Sequence, residues 1–205
     1  MSSALVAALV GLGFGAILVR RRSIAILLVG IQAMLLGVAA LTTADHDETG
    51  LLVAGVILLV RGLGLPALLV FVRRRTPEPR LVAPATTLLV RLSVAAVVVL
   101  AIVASVPALG LGDRAAEQGA LSLLALGIAI VVMRRPALFQ VLGLIVAENG
   151  AYLLAISVPG GVPAAIELGI LFDLILIVTV AAAFARKIHG ELGTGDTDVL
   201  RGLRD

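Results

Sequence analysis

The chain has 205 residues, of which 60% are hydrophobic and 14% charged, with a formal net charge of +3. A soluble domain is about half apolar and about a quarter charged, so a soluble globular protein, a disordered chain and a DNA-binding module are all excluded. The basic residues sit in short clusters between apolar runs, and aromatics are only 3%, which leaves no basic face or stacking platform for nucleic acid.

A helix needs about 20 apolar residues to cross about 30 Å of hydrocarbon. Apolar runs and their breakers predict an all-α integral membrane protein of about seven spans, with the lipid bilayer as its surroundings. In chain order the spans are roughly 3–19, 23–42, 51–72, 86–106, 118–133, 137–157 and 164–185. The first and fifth are short for a full crossing, and the fourth carries Arg91. The first is read as an uncleaved helix with its N-terminus outside, because Arg20, Arg21 and Arg22 follow it and no basic residue precedes it.

The connections support this count. The first, third and fifth connections and the tail hold 13 of the 16 basic residues, among them Arg73–Arg75, Arg134 and Arg186. The other connections hold Arg114 and the acids Asp45, Asp47, Glu48, Asp113 and Glu117. The positive-inside rule then places the N-terminus outside and the C-terminus in the cytoplasm. Residues 1–185 form one membrane domain and 186–205 a cytoplasmic tail, whose Leu192, Val199, Leu200 and Leu203 suit docking on a partner or the membrane surface.

A parallel repeat is legible within the membrane domain. Arg61 lies 12 residues before Arg73 and Asp173 lies 13 residues before Arg186. Each follows an apolar span with a polar residue near its middle, Gln32 in one and Glu148 in the other. This pattern suggests two three-span units, about 3–75 and 118–185, joined by the span at 86–106, with orientation preserved. The competing reading is that any two basic-flanked membrane helices look alike.

Gln32, Arg61, Glu148 and Asp173 fall near the midpoints of their spans. Three ionisable groups at the bilayer centre cost on the order of 8–10 kcal/mol unless paired or neutral. One reading is a buried ion pair of Arg61 with Glu148 or Asp173 that fixes packing. The other is a proton path, since desolvation raises a carboxyl's pKa and a nearby arginine lowers it, so that the balanced group titrates near neutrality. Arginine stays charged, so Arg61 tunes and does not carry the proton. Arg91 lies about 7 Å from its span's centre and snorkels to the cytoplasmic side. Glu167 sits within a turn of the outer face.

Around Glu148, Asn149 follows directly, and Tyr152 lies four residues on over the same face. Tyr152 either hydrogen-bonds the carboxylate or anchors at the outer interface. Pro66 removes the backbone bond to the Gly62 carbonyl, and Gly64 loosens the same turn, so the third span breaks or kinks one turn after Arg61. Such a break either exposes carbonyls to an ion or water path or serves plain packing.

Weaker motifs carry less. Gly11, Gly13 and Gly15 form a G-x-G-x-G run with no strand before it, which indicates helix packing and not dinucleotide binding. Asp45, His46, Asp47 and Glu48 read as a solvated loop ahead of a divalent-ion site. With no cysteine and only two histidines, both in polar segments, no metal or redox cofactor is expected in this chain.

The stretch from Gln140 to Asp205 carries "AENG" at Ala147–Gly150, "ELGILFD" at Glu167–Asp173 and "ARKIHGELG" at Ala185–Gly193. On these motifs the chain resembles the hydrogenase-4 component E family. Arg61, Pro66 and Gln32 also stand where that family has a basic residue, a proline and a glutamine, while the first, fourth and fifth spans match in hydropathy alone. The family in turn is similar to the small K-type subunit of respiratory complex I and the C subunit of multisubunit Na⁺/H⁺ antiporters.

The resemblance implies a non-catalytic membrane subunit of a membrane-bound [NiFe]-hydrogenase-type oxidoreductase in a bacterial or archaeal cytoplasmic membrane. Glu148 and Asp173 match the small subunit's two membrane carboxylates and would relay protons. The nickel–iron centre and iron–sulfur clusters would lie in partner subunits. The partners implied are antiporter-like membrane subunits, a membrane anchor and soluble redox subunits. The alternatives are a subunit of a cation/proton antiporter and a purely structural membrane subunit.

Overall fold

The computed structural model describes residues 2–43, 60–64, 87–110, 113–134 and 136–157, with residues 67, 70 and 179 singly. Among these residues the regular structure is helical: α1 (Ser3–Leu18), α2 (Arg22–Thr43), a π-helical turn (Val60–Gly64), α3 (Leu88–Ser105), α4 (Arg114–Met133) and α5 (Ala137–Ile156). α2, α3, α4 and α5 are each long and apolar enough to cross a membrane. At 1.5 Å per residue, the 16 residues of α1 reach only about 24 Å, short of the full hydrocarbon. Most of the third span and, apart from residue 179, the seventh lie outside the described residues, and with them the third member of each proposed repeat unit.

The helix ends follow local chemistry. Ser2 caps α1 through Leu5 N–H, and Thr87 caps α3 through Val90 N–H. α4 starts at Arg114, four residues before the predicted fifth span. The reason is Asp113, whose Oδ1 accepts the N–H groups of Ala115 and Ala116, both at 3.1 Å. A first turn carrying Arg114, Glu117 and Gln118 looks like a polar loop to a hydropathy reading, but the cap makes it helix. Glu117 is buried there, and its carboxylate accepts the Leu109 N–H at 2.6 Å. Asp113→Ala is expected to cost about 1 kcal/mol of stability through loss of the cap. The check is thermal unfolding of the detergent-solubilised chain.

Short connections set the packing. Three residues separate α1 from α2 and three separate α4 from α5, so each pair runs antiparallel. α4 and α5 form the tightest pair; α1 packs on α2 and α4, α2 on α5 and the π-helical turn, and α3 on α4 and α1. The Arg134 guanidinium donates to the Val19 carbonyl. The C-terminal ends of α1 and α4 therefore meet, and the first residues of α2 and α5 lie at the same end. The core between the helices is apolar, built on Leu9, Ile17, Leu36, Leu123, Leu126, Leu142 and Val146.

The closeness of α4 and α5 has a specific cause. A Cβ on Gly127 would lie 2.5 Å from the Gly143 carbonyl oxygen and from the Ala147 backbone nitrogen. A Cβ on Gly150 would lie 2.7 Å from the Ala120 oxygen. Lipid tails are as apolar as leucine, so membrane helices associate through this kind of close backbone approach between small residues. α3 is the contrast. Arg91 and Ala95 are its buried residues, and Leu89, Val97 and Leu100 are 62–73% exposed.

Candidate functional site

The polar residues of α2 and α5 meet halfway along the bundle. Gln32 is fully buried on α2, and its Nε2 donates to the Leu9 carbonyl of α1 at 2.8 Å. Its Oε1 accepts a hydrogen bond from Asn149 Nδ2 of α5 at 3.0 Å. Asn149 is fully buried as well. One glutamine thus ties three helices together at mid-depth. The Leu9 carbonyl takes this bond because an oxygen has two lone pairs and one remains beyond the helix's own bond. Gly13 leaves the room: a Cβ there would come within 3.5 Å of Gln32 Nε2 and 3.0 Å of Leu126 Cδ1. Of the G-x-G-x-G run, Gly13 and Gly15 face neighbours across close gaps, and Gly11 meets nothing within 4 Å.

This pairing assigns the faces of α5. Asn149 points to α2 and Gly150 to α4, while Ala151 and Leu144 are exposed. At 100° per residue, Glu148 falls between the α2 face and the exposed flank, and it is half-buried. It lies within about two residues of the midpoint of α5, about 3 Å along the axis. Tyr152, one turn on, is 2% exposed and packs in the core. An outer-interface anchor would keep a wet hydroxyl end, so the interfacial alternative for Tyr152 does not describe this position.

The other residues singled out in the sequence are placed less completely. The backbone of Arg61 lies in the π-helical turn with Gly62 and Gly64, and its side chain is outside the described residues. The turn widens the helix next to Pro66, which has no N–H to donate. Gly62 is buried against α2, where a Cβ would sit 2.0 Å from Met34 Sδ. Pro66, Glu167 and Asp173 lie outside the described residues. Arg91 sits in the first turn of α3, 1% exposed.

The Gln32–Asn149 bond joins positions 117 apart in sequence, and no local pattern announces such a pairing. Asn149→Leu would leave a buried glutamine oxygen without its donor, at a cost of about 1–2 kcal/mol. The double variant with Gln32→Leu is expected to show a coupling of about 1 kcal/mol, in the range of bonds between membrane helices. Unfolding of the four proteins in one detergent measures it.

These features define the class: a helical membrane protein with a buried polar cluster midway across its bundle. Comparison with known proteins adds a distant relation. The chain is 34% identical over 93 residues to hydrogenase-4 component E of Escherichia coli K12, covering 45% of this chain and 43% of that protein. Hydrogenase-4 component E of Shigella flexneri matches to the same extent. The match thus spans less than half the length of these curated relatives. A broader match, 28% identical over 172 residues, covers 78% of this chain and 76% of the uncharacterized protein Rv0085 of Mycobacterium tuberculosis. No family model and no solved structure matches.

Proposed function

We propose that this chain is a non-catalytic membrane subunit of a membrane-bound, hydrogenase-type and complex I-like oxidoreductase. In this reading it bridges antiporter-like subunits to the redox arm and relays protons through Glu148 and Asp173. The observation that carries the proposal is the carboxyl of Glu148 at mid-depth, next to a buried amide pair that fixes the rotation of α5 about its axis. An ionisable residue at that depth is costly and characteristically functional. The relation to hydrogenase-4 component E supplies the kind of complex.

Each side chain has a defined role in the relay. Glu148 takes up and releases the proton at its carboxyl. Asn149 and Gln32 hold the helix that carries it and, as amides, exchange no proton themselves. Asp173 is the second carboxyl; aspartate is one methylene shorter than glutamate, so transfer between the two uses bridging water. Arg61 sets the field. The chain has no cysteine, and thiolates hold iron–sulfur clusters, so the metal centres of the proposed complex belong to its partner subunits.

Mild-detergent purification of the tagged chain, with mass spectrometry of what accompanies it, tests this reading. Co-purification of hydrogenase-like and iron–sulfur subunits is the expected result. Recovery with antiporter-type subunits alone would replace it with ion exchange.

A further inference from the structure

The two bonds of Gln32 have a fixed direction. The Leu9 carbonyl oxygen can only accept, so the Gln32 atom 2.8 Å from it carries hydrogen and is Nε2. Oε1 is then turned to α5, where Asn149 meets it with the donor Nδ2 at 3.0 Å. The bonds therefore run one way, from Asn149 through Gln32 to the backbone of α1. Both amides are fully buried. Around Gly13, the donating end of Gln32 shares its space with Leu123 and Leu126 of α4, which are fully buried as well.

This polarity decides what position 32 can hold. An ionised carboxylate only accepts hydrogen bonds. One of its oxygens would meet the Leu9 oxygen, acceptor against acceptor, in an apolar surround where such a contact costs most. The Leu9 oxygen belongs to the backbone of α1 and cannot turn aside. A protonated carboxyl meets neither obstacle: its O–H donates to Leu9, and its carbonyl oxygen accepts from Asn149. The position thus takes a neutral donor, as an amide or as an acid that keeps its proton. Glu148, the residue beside Asn149, is half-buried on the flank of α5 and has no part in this chain of bonds.

We propose that the Leu9 carbonyl, Gln32 and Asn149 form a proton-blocked position, with Gln32 as the specificity-determining residue that keeps proton transfer on the Glu148 flank of α5. The Leu9 carbonyl is the deciding group, because it demands a hydrogen from whatever side chain stands at position 32. The confinement of transfer rests on the relay proposed above, whereas the polarity of the position stands without it. A carboxyl introduced here holds its proton and does not become a second relay group.

Gln32→Glu tests the position by infrared spectroscopy of the full chain in mild detergent, as a difference spectrum against wild type. The added group should show the carbonyl band of a protonated acid throughout about pH 5 to pH 9, a range in which an ordinary glutamate is ionised. Loss of that band as the pH rises would overturn the blocked position, whatever the fate of the relay. In vesicles containing the complex, Gln32→Glu should not restore the pumping lost in Glu148→Gln, and restored pumping would overturn the confinement. Full pumping in Glu148→Gln alone would instead remove the relay and leave the infrared result standing. Asn149 is the only asparagine of the chain, so isotope-labelled asparagine reports on the wild type even where Gln32→Glu fails to fold. Its side-chain amide protons should exchange slowly with deuterium, and exchange at the rate of a free amide would overturn the closed chain of bonds.

Discussion

Glu148→Gln should lower proton pumping about a hundredfold, the low end of what a positioned proton-transfer side chain contributes. Electron transfer and the amount of assembled complex should stay near wild type. The reasoning starts from position. Glu148 is half-buried on the flank of α5, and its substitution by a near-isosteric amide changes little volume. The residue that holds α5 to α2 is its neighbour, Asn149, bonded to Gln32. Position 148 can therefore lose its carboxyl while the Asn149–Gln32 bond is left in place. Asp173→Asn should behave alike. Pumping and electron transfer measured in the same vesicles decide it. Full pumping in both variants would remove the relay, and loss of assembly in both would make the carboxyls structural.

The two neighbouring positions separate mechanism from architecture. Asn149→Leu should weaken the bundle, in proportion to the lost bond, and affect pumping only through the amount of complex. A pumping defect per assembled complex as large as that of Glu148→Gln would place the amide pair on the proton path.

Much of the helix placement was legible because hydropathy and arginine clusters mark where a span ends. The ends of α1, α2, α3 and α5 lie within two residues of the predicted bounds. The early start of α4 was missed because hydropathy weighs Arg114, Glu117 and Gln118 as loop, whereas Asp113 supplies the local hydrogen bonds that begin a helix. Gln32 and Asn149 each stood out as polar residues in apolar runs. Their partnership did not, since it depends on how α2 and α5 are rotated against each other. Arg134 counted only as a loop charge, because a charge count assigns a side and not a depth. Phe139, five residues on, was the available hint of its stacked, buried state.

The glycine seam was also overlooked, although Gly143 and Gly150 repeat at seven residues, the spacing of one helix face. It carries the largest expected effect on stability. Gly127→Leu should cost about 3 kcal/mol or more, beyond ordinary overpacking. A Cβ alone would come 2.5 Å from the Gly143 oxygen, the Ala147 nitrogen and the Ala147 Cβ. Backbone atoms cannot turn aside as a flexible side chain can, so α4 and α5 must separate along their length. Separation would also draw Asn149 from Gln32, because α5 is held between α4 and α2. Gly127→Ala should already destabilise by about 1–3 kcal/mol for the same reason. Gly11→Ala is the matched control: nothing lies within 4 Å of its Cβ, and alanine is the better helix former by about 1 kcal/mol. Unfolding of all three in detergent distinguishes a seam closed by backbone contact from a general intolerance of glycine replacement. If Gly127→Ala and Gly11→Ala unfold alike, the tight pairing of α4 and α5 does not depend on that glycine.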